Sequence, residues 1–275
     1  MLLADLSLAR RVEAGEAVVG FESAQSLGRI YPESGAVALL VAGGCAAYVG
    51  AGSPFNQATG VGMNGPVTEA EFDGLESFYR SRGSAVRIML CPLADPSLVQ
   101  LLGCRGYRLT EMENVLVRPI QGDEPVPPPA AKVSVRRAPP AEAKLWASII
   151  GEGFFGTAEL EPQLMQALLA GFNTSNATCF FGCLDGRPVG AAVVHTHDGV
   201  AMLNGAATLQ PFRGRGVHTA LHHARLSFAV AAGCELARVV TQPGSASQRN
   251  AERQGFSVAY TRVAMVREWT PAAAP

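Results

Sequence analysis

Lysine is almost absent from this 275-residue chain: Lys132 and Lys144 stand against 20 arginines. With 23 acidic residues the formal net charge is −1. That leaves no basic surplus to match a phosphate backbone, so a nucleic-acid partner is not expected. The arginine bias favours bidentate contacts to phosphate or carboxylate, although genomic composition would produce it equally well. Long apolar runs are also missing. The longest, such as residues 36–47, are too short for a bilayer and contain glycine, so neither a membrane span nor a membrane partner is expected. The first residues carry no basic stretch before their apolar ones, and Asp5 interrupts them. A signal peptide is therefore not expected, and cytoplasmic residence is the default. The six cysteines form no CxxC pair, which removes a zinc ribbon and a redox dithiol. Cys179 and Cys183 lie four apart on an expected strand and read as small core residues. Charged residues are scarce too, 16% against 48% hydrophobic, and this excludes a disordered chain.

What is present points to an α/β chain of two domains. Four prolines within residues 125–129 cannot support a helix or a central strand. Residues 119–131 therefore read as a semi-rigid linker between domains at 1–118 and 132–275. In the second half, strands are expected at 133–137, 178–184, 189–195, 200–209, 236–241 and within 256–267. Helices are expected at 140–152, 161–172, 217–232 and 245–254. Asp185-Gly186 and Asp198-Gly199 are hairpin turn signals. The first half repeats part of this order. It has a hairpin within 35–48, a strand at 57–63, and a capping-box start at Thr68-Glu-Ala-Glu71 for a helix to residue 82. A strand at 86–90, a helix at 94–102 and a strand at 109–118 follow. Gly106-Tyr107 and Gly255-Phe256 both follow a helix and open a terminal strand. Two diverged copies of one α/β unit are the expectation.

The segment Arg213-Gly-Arg-Gly-Val-His218 carries the chemistry. It lies between an expected strand and an amphipathic helix. Glycine lets the backbone turn tightly and approach a ligand. The helix presents unpaired N–H groups and the positive end of its dipole. Together these make an anion site suited to a pyrophosphate. The loop is neither a Walker A sequence nor a Rossmann GxGxxG, and taken alone it could be an ordinary turn.

A strand, Arg-x-x-Gly-x, a long helix, a strand, a helix and Gly-Phe together resemble the GNAT superfamily of acyl-CoA-dependent N-acyltransferases. Arg213 and Gly216 match the marked places of that family's Arg/Gln-x-x-Gly-x-Gly/Ala pattern; His218 stands where Gly or Ala is usual. The first half lacks the pattern and resembles a degenerate copy that has lost cofactor binding. The resemblance implies a mixed, mostly antiparallel sheet flanked by helices in each domain. It implies acetyl-CoA as acyl donor, with the pantetheine arm along Ala206, Ala207 and Thr208. The pyrophosphate would meet the amides of Gly214, Arg215, Gly216, Val217, His218 and Thr219, with Arg213 and Arg215 adding charge. Ser247 and Asn250 are further candidates for a cofactor contact. The tyrosine that protonates the leaving thiolate in many members falls on Ala251 here, and Tyr260 is the nearest tyrosine.

Attack of an amine on a thioester needs a neutral amine, a polarised carbonyl and a protonated thiolate. Glu152 is a candidate general base, with a solvated helix-end carboxylate as the alternative. His195, His197 and Asp198 are weighed beside it; the two histidines flank a hairpin turn and read as surface residues. Asn204, a lone polar residue in an apolar strand, either faces the acceptor or satisfies a neighbouring backbone. Phe154, Phe155 and Phe172 read as core or as a substrate wall. Glu111 and Glu113 share a strand face, which either attracts an amine or meets solvent. His218 and His222 have a workable metal spacing but lack the glutamate of HExxH, so no metal is expected. The leading expectation is an N-acetyltransferase acting on a primary amine by direct attack in a ternary complex. A non-catalytic acyl-CoA-binding or sensing protein is the alternative. The acceptor and the oligomeric state stay open, a homodimer included.

Overall fold

The computed structural model describes residues 4–122, 129–157 and 159–269. In chain order the first elements are α1 (Leu6–Ile30), β1 (Val37–Val41), β2 (Gly44–Tyr48), β3 (Gln57–Thr59), α2 (Glu69–Arg80), β4 (Val86–Leu90), α3 (Pro96–Cys104) and β5 (Arg108–Pro119). Then come β6 (Val133–Arg137), α4 (Ala143–Phe155), α5 (Pro162–Phe172), β7 (Ala177–Leu184), β8 (Arg187–His197), β9 (Val200–Met202) and β10 (Ala206–Thr208). The chain finishes with α6 (Val217–Ala231), β11 (Leu236–Thr241), α7 (Ala246–Arg253) and β12 (Ser257–Arg267). No helix among the described residues is long and apolar enough to cross a membrane.

Contacts divide the chain into two units, and the division differs from the expected one. The first unit takes residues up to Leu116, then Thr241–Glu252 and residues from Val258 on. The second takes Val117–Val240 and Arg253–Ser257. The expected second domain, 132–275, thus gives up most of α7 and its last strand. β12 pairs antiparallel with β4, from Val263↔Leu90 to Arg267↔Val86. Of the expected linker, residues 123–128 lie outside the described residues, and Ile120 donates its N–H to Glu235 O at 2.8 Å.

In the first unit, α1 is an element that the sequence reading passes over. Asp5 caps it by accepting from Leu8 N at 2.8 Å. Its buried face is mostly small, with Ala9, Gly15, Ala17 and Ala24 beside Leu8, Val12 and Leu27, so the apolar periodicity is weak. β1 and β2 form the expected hairpin, and β2 pairs with β3. β3 is shorter than the expected 57–63 and meets β4 in parallel at Ala58↔Ile88.

In the second unit, β6, β7 and β8 are antiparallel neighbours. Asp185-Gly186 and Asp198-Gly199 close the two hairpins with positive φ at each residue, as their turn chemistry requires. A core of Trp146, Ile149, Ile150, Phe172, Phe181 and Val193 joins α4 and α5 to the sheet. Trp146 donates its indole N–H to Ala192 O at 3.2 Å, which satisfies the one polar group of a buried ring. α6 packs against β6, β7 and β8.

Candidate active site

The expected strand at 200–209 is in fact broken. β9 pairs with the far end of β8, at His195↔Met202 and His197↔Val200. It also pairs in parallel with β11, from Leu236↔Val200 to Arg238↔Met202. The last bond of that ladder runs from Leu203 N to Arg238 O at 2.9 Å. After Gly205, whose φ is 39°, the chain resumes as β10. β10 continues along β8, from Ala206↔Ala192 to Thr208↔Gly190. Among the described residues β10 has no strand other than β8 beside it. The strand therefore forks away from β11 and leaves one edge of backbone without a ladder partner. At its end the Thr208 hydroxyl is buried with no hydrogen-bond partner. A buried orphan hydroxyl is uncommon in a native interior and fits a ligand contact.

The phosphate-loop candidate follows at once. Gly216 is the N-cap of α6 in the left-handed region, φ 84°, where a side chain would be strained. No side chain caps the helix, and no acidic residue stands in its first turn. The N–H groups of Val217, His218 and Thr219 are thus left to an outside acceptor. The other unit shows the contrast. There Thr68 caps α2, and Glu71 returns its carboxylate to Thr68 N at 2.9 Å. These hydrogen bonds lower the Glu71 pKa. α2 thus carries its own anion at its positive end, whereas α6 carries none.

Arg213, though exposed, fastens the loop. Its Nε donates to Thr208 O at 3.0 Å, and one terminal nitrogen lies 3.4 Å from Gly153 O. Gly153 stands so close to β10 that a Cβ there would fall 2.3 Å from Ala207 Cβ. The end of α4, the free-edged strand and the loop are thereby held together. Arg215 is exposed, its guanidinium 6.0 Å from the Phe212 ring. The Val217 side chain is buried, so only its backbone is available to a ligand.

Residues 145–256 match the model of the Acetyltransferase (GNAT) family. This segment is a GNAT domain. Likeness in fold extends further. A solved structure described as a GCN5-related N-acetyltransferase from Kribbella flavida is 20% identical, with a TM-score of 0.64 over 94% of this chain and 96% of its own. A tandem GNAT protein from the clavulanic acid biosynthesis pathway is 16% identical, with a TM-score of 0.57 over 74% of this chain and 70% of its own. No curated protein matches the chain.

Within the GNAT domain the other expected site residues scatter. Glu152 is half-buried in the last turn of α4, and Phe154 and Phe155 are exposed beyond it, while Phe172 is in the core. His195 is buried rather than at the surface, which corrects the sequence reading. His197 is half-buried and Asp198 exposed at the turn. Asn204 does not stand free: its Oδ1 accepts from Arg238 at 2.8 Å, and its Nδ2 lies 3.5 Å from His195 Nδ1. Burial, aided by Arg225, holds His218 at about 4 and His222 at about 2, so both rings are neutral at pH 7. No group of metal-ligating side chains occurs among the described residues. Burial pushes the Cys179 thiol to about 12 and raises Cys183 and Cys234. Thiols held so high supply no thiolate nucleophile.

Ser247 is exposed and Asn250 half-buried on α7, among residues of the first unit. Tyr260 belongs to the first unit too, and its hydroxyl donates to Glu13 at 2.7 Å. Glu111 and Glu113, read as open to an amine or to solvent, are paired with Arg87 and Arg262. Two residues of the GNAT domain escaped notice, Arg225 and Arg238, at 1% and 0% exposed. Their signal was a lone arginine within an apolar helix face and another within an apolar strand.

Proposed function

We propose that the chain transfers an acetyl group from acetyl-CoA to a primary amine by direct attack in a ternary complex. The observation that carries this reading is the uncapped start of α6 directly after a strand with a free edge. The edge of Ala206, Ala207 and Thr208 offers backbone groups that an amide-bearing pantetheine arm can satisfy. The loop amides from Gly214 to Thr219 bind the pyrophosphate, and Arg213 fixes the loop against Thr208. Glu152, close to β10 through its neighbour Gly153, takes the proton of the attacking amine. Buried thiols of high pKa support direct transfer over a covalent cysteine intermediate. With alanine at 251, water protonates the leaving thiolate. That same alanine favours a second reading, an acyl-CoA-binding protein without turnover, and a panel of amines separates the two.

The test is calorimetric titration of acetyl-CoA and CoA, with Thr219→Glu as control. Thr219 is exposed at the third position of α6, the position of Glu71 in α2. A glutamate there installs the carboxylate that α2 already carries. It is compatible with the helix dipole but competes with the phosphates. Binding is expected to weaken by at least about tenfold, about 1.4 kcal/mol, with unchanged thermal stability. Absence of binding to the unmodified protein refutes the transferase reading.

A further inference from the structure

The fork between β9 and β10 is held by buried arginines. From α6, Arg225 sends one terminal nitrogen to Val193 O at 3.3 Å and to Asn204 O at 3.1 Å. Its Nε donates to Leu221 O at 3.3 Å. All three acceptors are backbone carbonyls. Two of them lie where the β8 ladder passes from β9 to β10, and the pairing register shifts there by one residue. A one-residue shift removes carbonyls from regular pairing, and Arg225 satisfies them. From β11, Arg238 reaches Asn204 Oδ1 at 2.8 Å, directly after the last backbone bond of the β9–β11 ladder. A side chain thus spans the gap at which β10 leaves β11. Burial lowers the Arg225 pKa to about 9, so the group is a full cation at neutral pH.

Building on the acyl-CoA reading above, we propose that Arg225 and Arg238 are positioning residues that clamp the fork open through Asn204. They keep the free edge of β10 available to the pantetheine arm of the donor. Without the clamp the Val193 carbonyl, whose bond to Arg225 is buried, loses that donor, and the half-buried Asn204 carbonyl loses it too, which carries a desolvation penalty. Regular strand pairing becomes the cheaper arrangement and closes the edge. The phosphate loop keeps its own contacts, Arg213 to Thr208 and to Gly153, none of which involves Arg225, Arg238 or Asn204.

This separation makes the proposal testable with two ligands. CoA engages both loop and edge; 3′-phospho-ADP carries the pyrophosphate but no pantetheine and engages the loop alone. Both are titrated calorimetrically into the unmodified full chain, Arg225→Met, Arg225→Lys and Asn204→Ala. Arg225→Met is expected to lose at least about tenfold in CoA affinity and less than about twofold for 3′-phospho-ADP. Arg225→Lys, which retains the charge and one donor group, recovers part of the loss. Asn204→Ala, at a half-buried site, removes the Arg238 arm of the clamp and keeps the carbonyl that Arg225 binds; it gives the same ligand-selective pattern with a smaller loss and serves if Arg225→Met does not fold. Equal losses for both ligands, or no loss for CoA, overturn the clamp. Failure of the unmodified chain to bind either ligand overturns the acyl-CoA reading itself, and the clamp's role with it.

Discussion

Arg262 on β12 is 3% exposed and faces three carboxylates of the first unit. Its Nε donates to Glu113 at 3.0 Å, and its terminal nitrogens stand 3.5 Å from Glu13 and 3.7 Å from Glu16. Burial opposes the charge, but Glu13, Glu16 and Glu113 outweigh it and hold the Arg262 pKa above its ordinary value. Glu13 is 0% exposed; its Oε1 accepts from Tyr260, while its Oε2 faces Arg262 as an ion pair without a hydrogen bond. Replacing Arg262 by methionine leaves the Glu13 charge buried and unmatched. Loss of one partner of a buried pair costs about 3–5 kcal/mol. The Glu16 and Glu113 pairs, at 14% and 24% exposed, add about 1 kcal/mol or less between them. Against a typical total of about 5–15 kcal/mol, the first unit should lose much of its stability. Urea unfolding measured by Trp269 fluorescence in a Trp146→Phe background reports on this unit, which contains Trp269. A double-mutant cycle with Glu13→Gln should recover about 1.5–3 kcal/mol as coupling. A loss below about 1 kcal/mol for Arg262→Met, or single losses that simply add in the double variant, would refute the reasoning.

Deleting the chain from Val258 onward removes the antiparallel partner of β4 and both groups that hold Glu13. The first unit is then expected to lose its cooperative unfolding transition; an unchanged transition would contradict the assignment of β12 to that unit. His222 supplies a pH test. Burial first, then Arg225 and the neighbouring histidines, hold it at about 2, so below about pH 6.5 the unfolded chain binds a proton that the folded chain refuses. Its contribution is complete above that pH and falls as the pH is lowered, by about 2 kcal/mol between pH 6.5 and 5. His222→Phe should flatten the pH dependence of the urea midpoint by that amount, and equal slopes for the two proteins would exclude it. Thiol labelling at neutral pH should modify Cys104, which is exposed, and spare Cys45, Cys91 and Cys179, which burial holds at about 12.

Much of the molecule was legible along the chain, because the forces involved act over a few residues. Thr68 and Glu71 satisfy each other's backbone amides three positions apart, so the start of α2 needed no distant partner. Asp185-Gly186 and Asp198-Gly199 turned the chain through their own dihedral preferences. The Arg213-to-Gly216 loop was visible because a glycine before an apolar-faced helix is a local pattern. The family resemblance followed from that order of local elements. Other features depended on residues far away in sequence. The small-residue face of α1 acquires meaning only against the strands that it covers. The break at 203–205 came from β8, β11 and α6 competing for the same backbone groups, so the 200–209 stretch read as one strand. Glu113 looked solvent-facing or receptive because its partner Arg262 lies 149 positions along. Apart from α1 and the break at 203–205, the sequence alone determined the kinds of elements, their order and the anion-ready loop, since these rest on turn chemistry, capping and periodicity. Tertiary structure decided which strand completes which sheet, where the edge opens and which charges are buried together, since those depend on hydrogen bonds and ion pairs between distant residues.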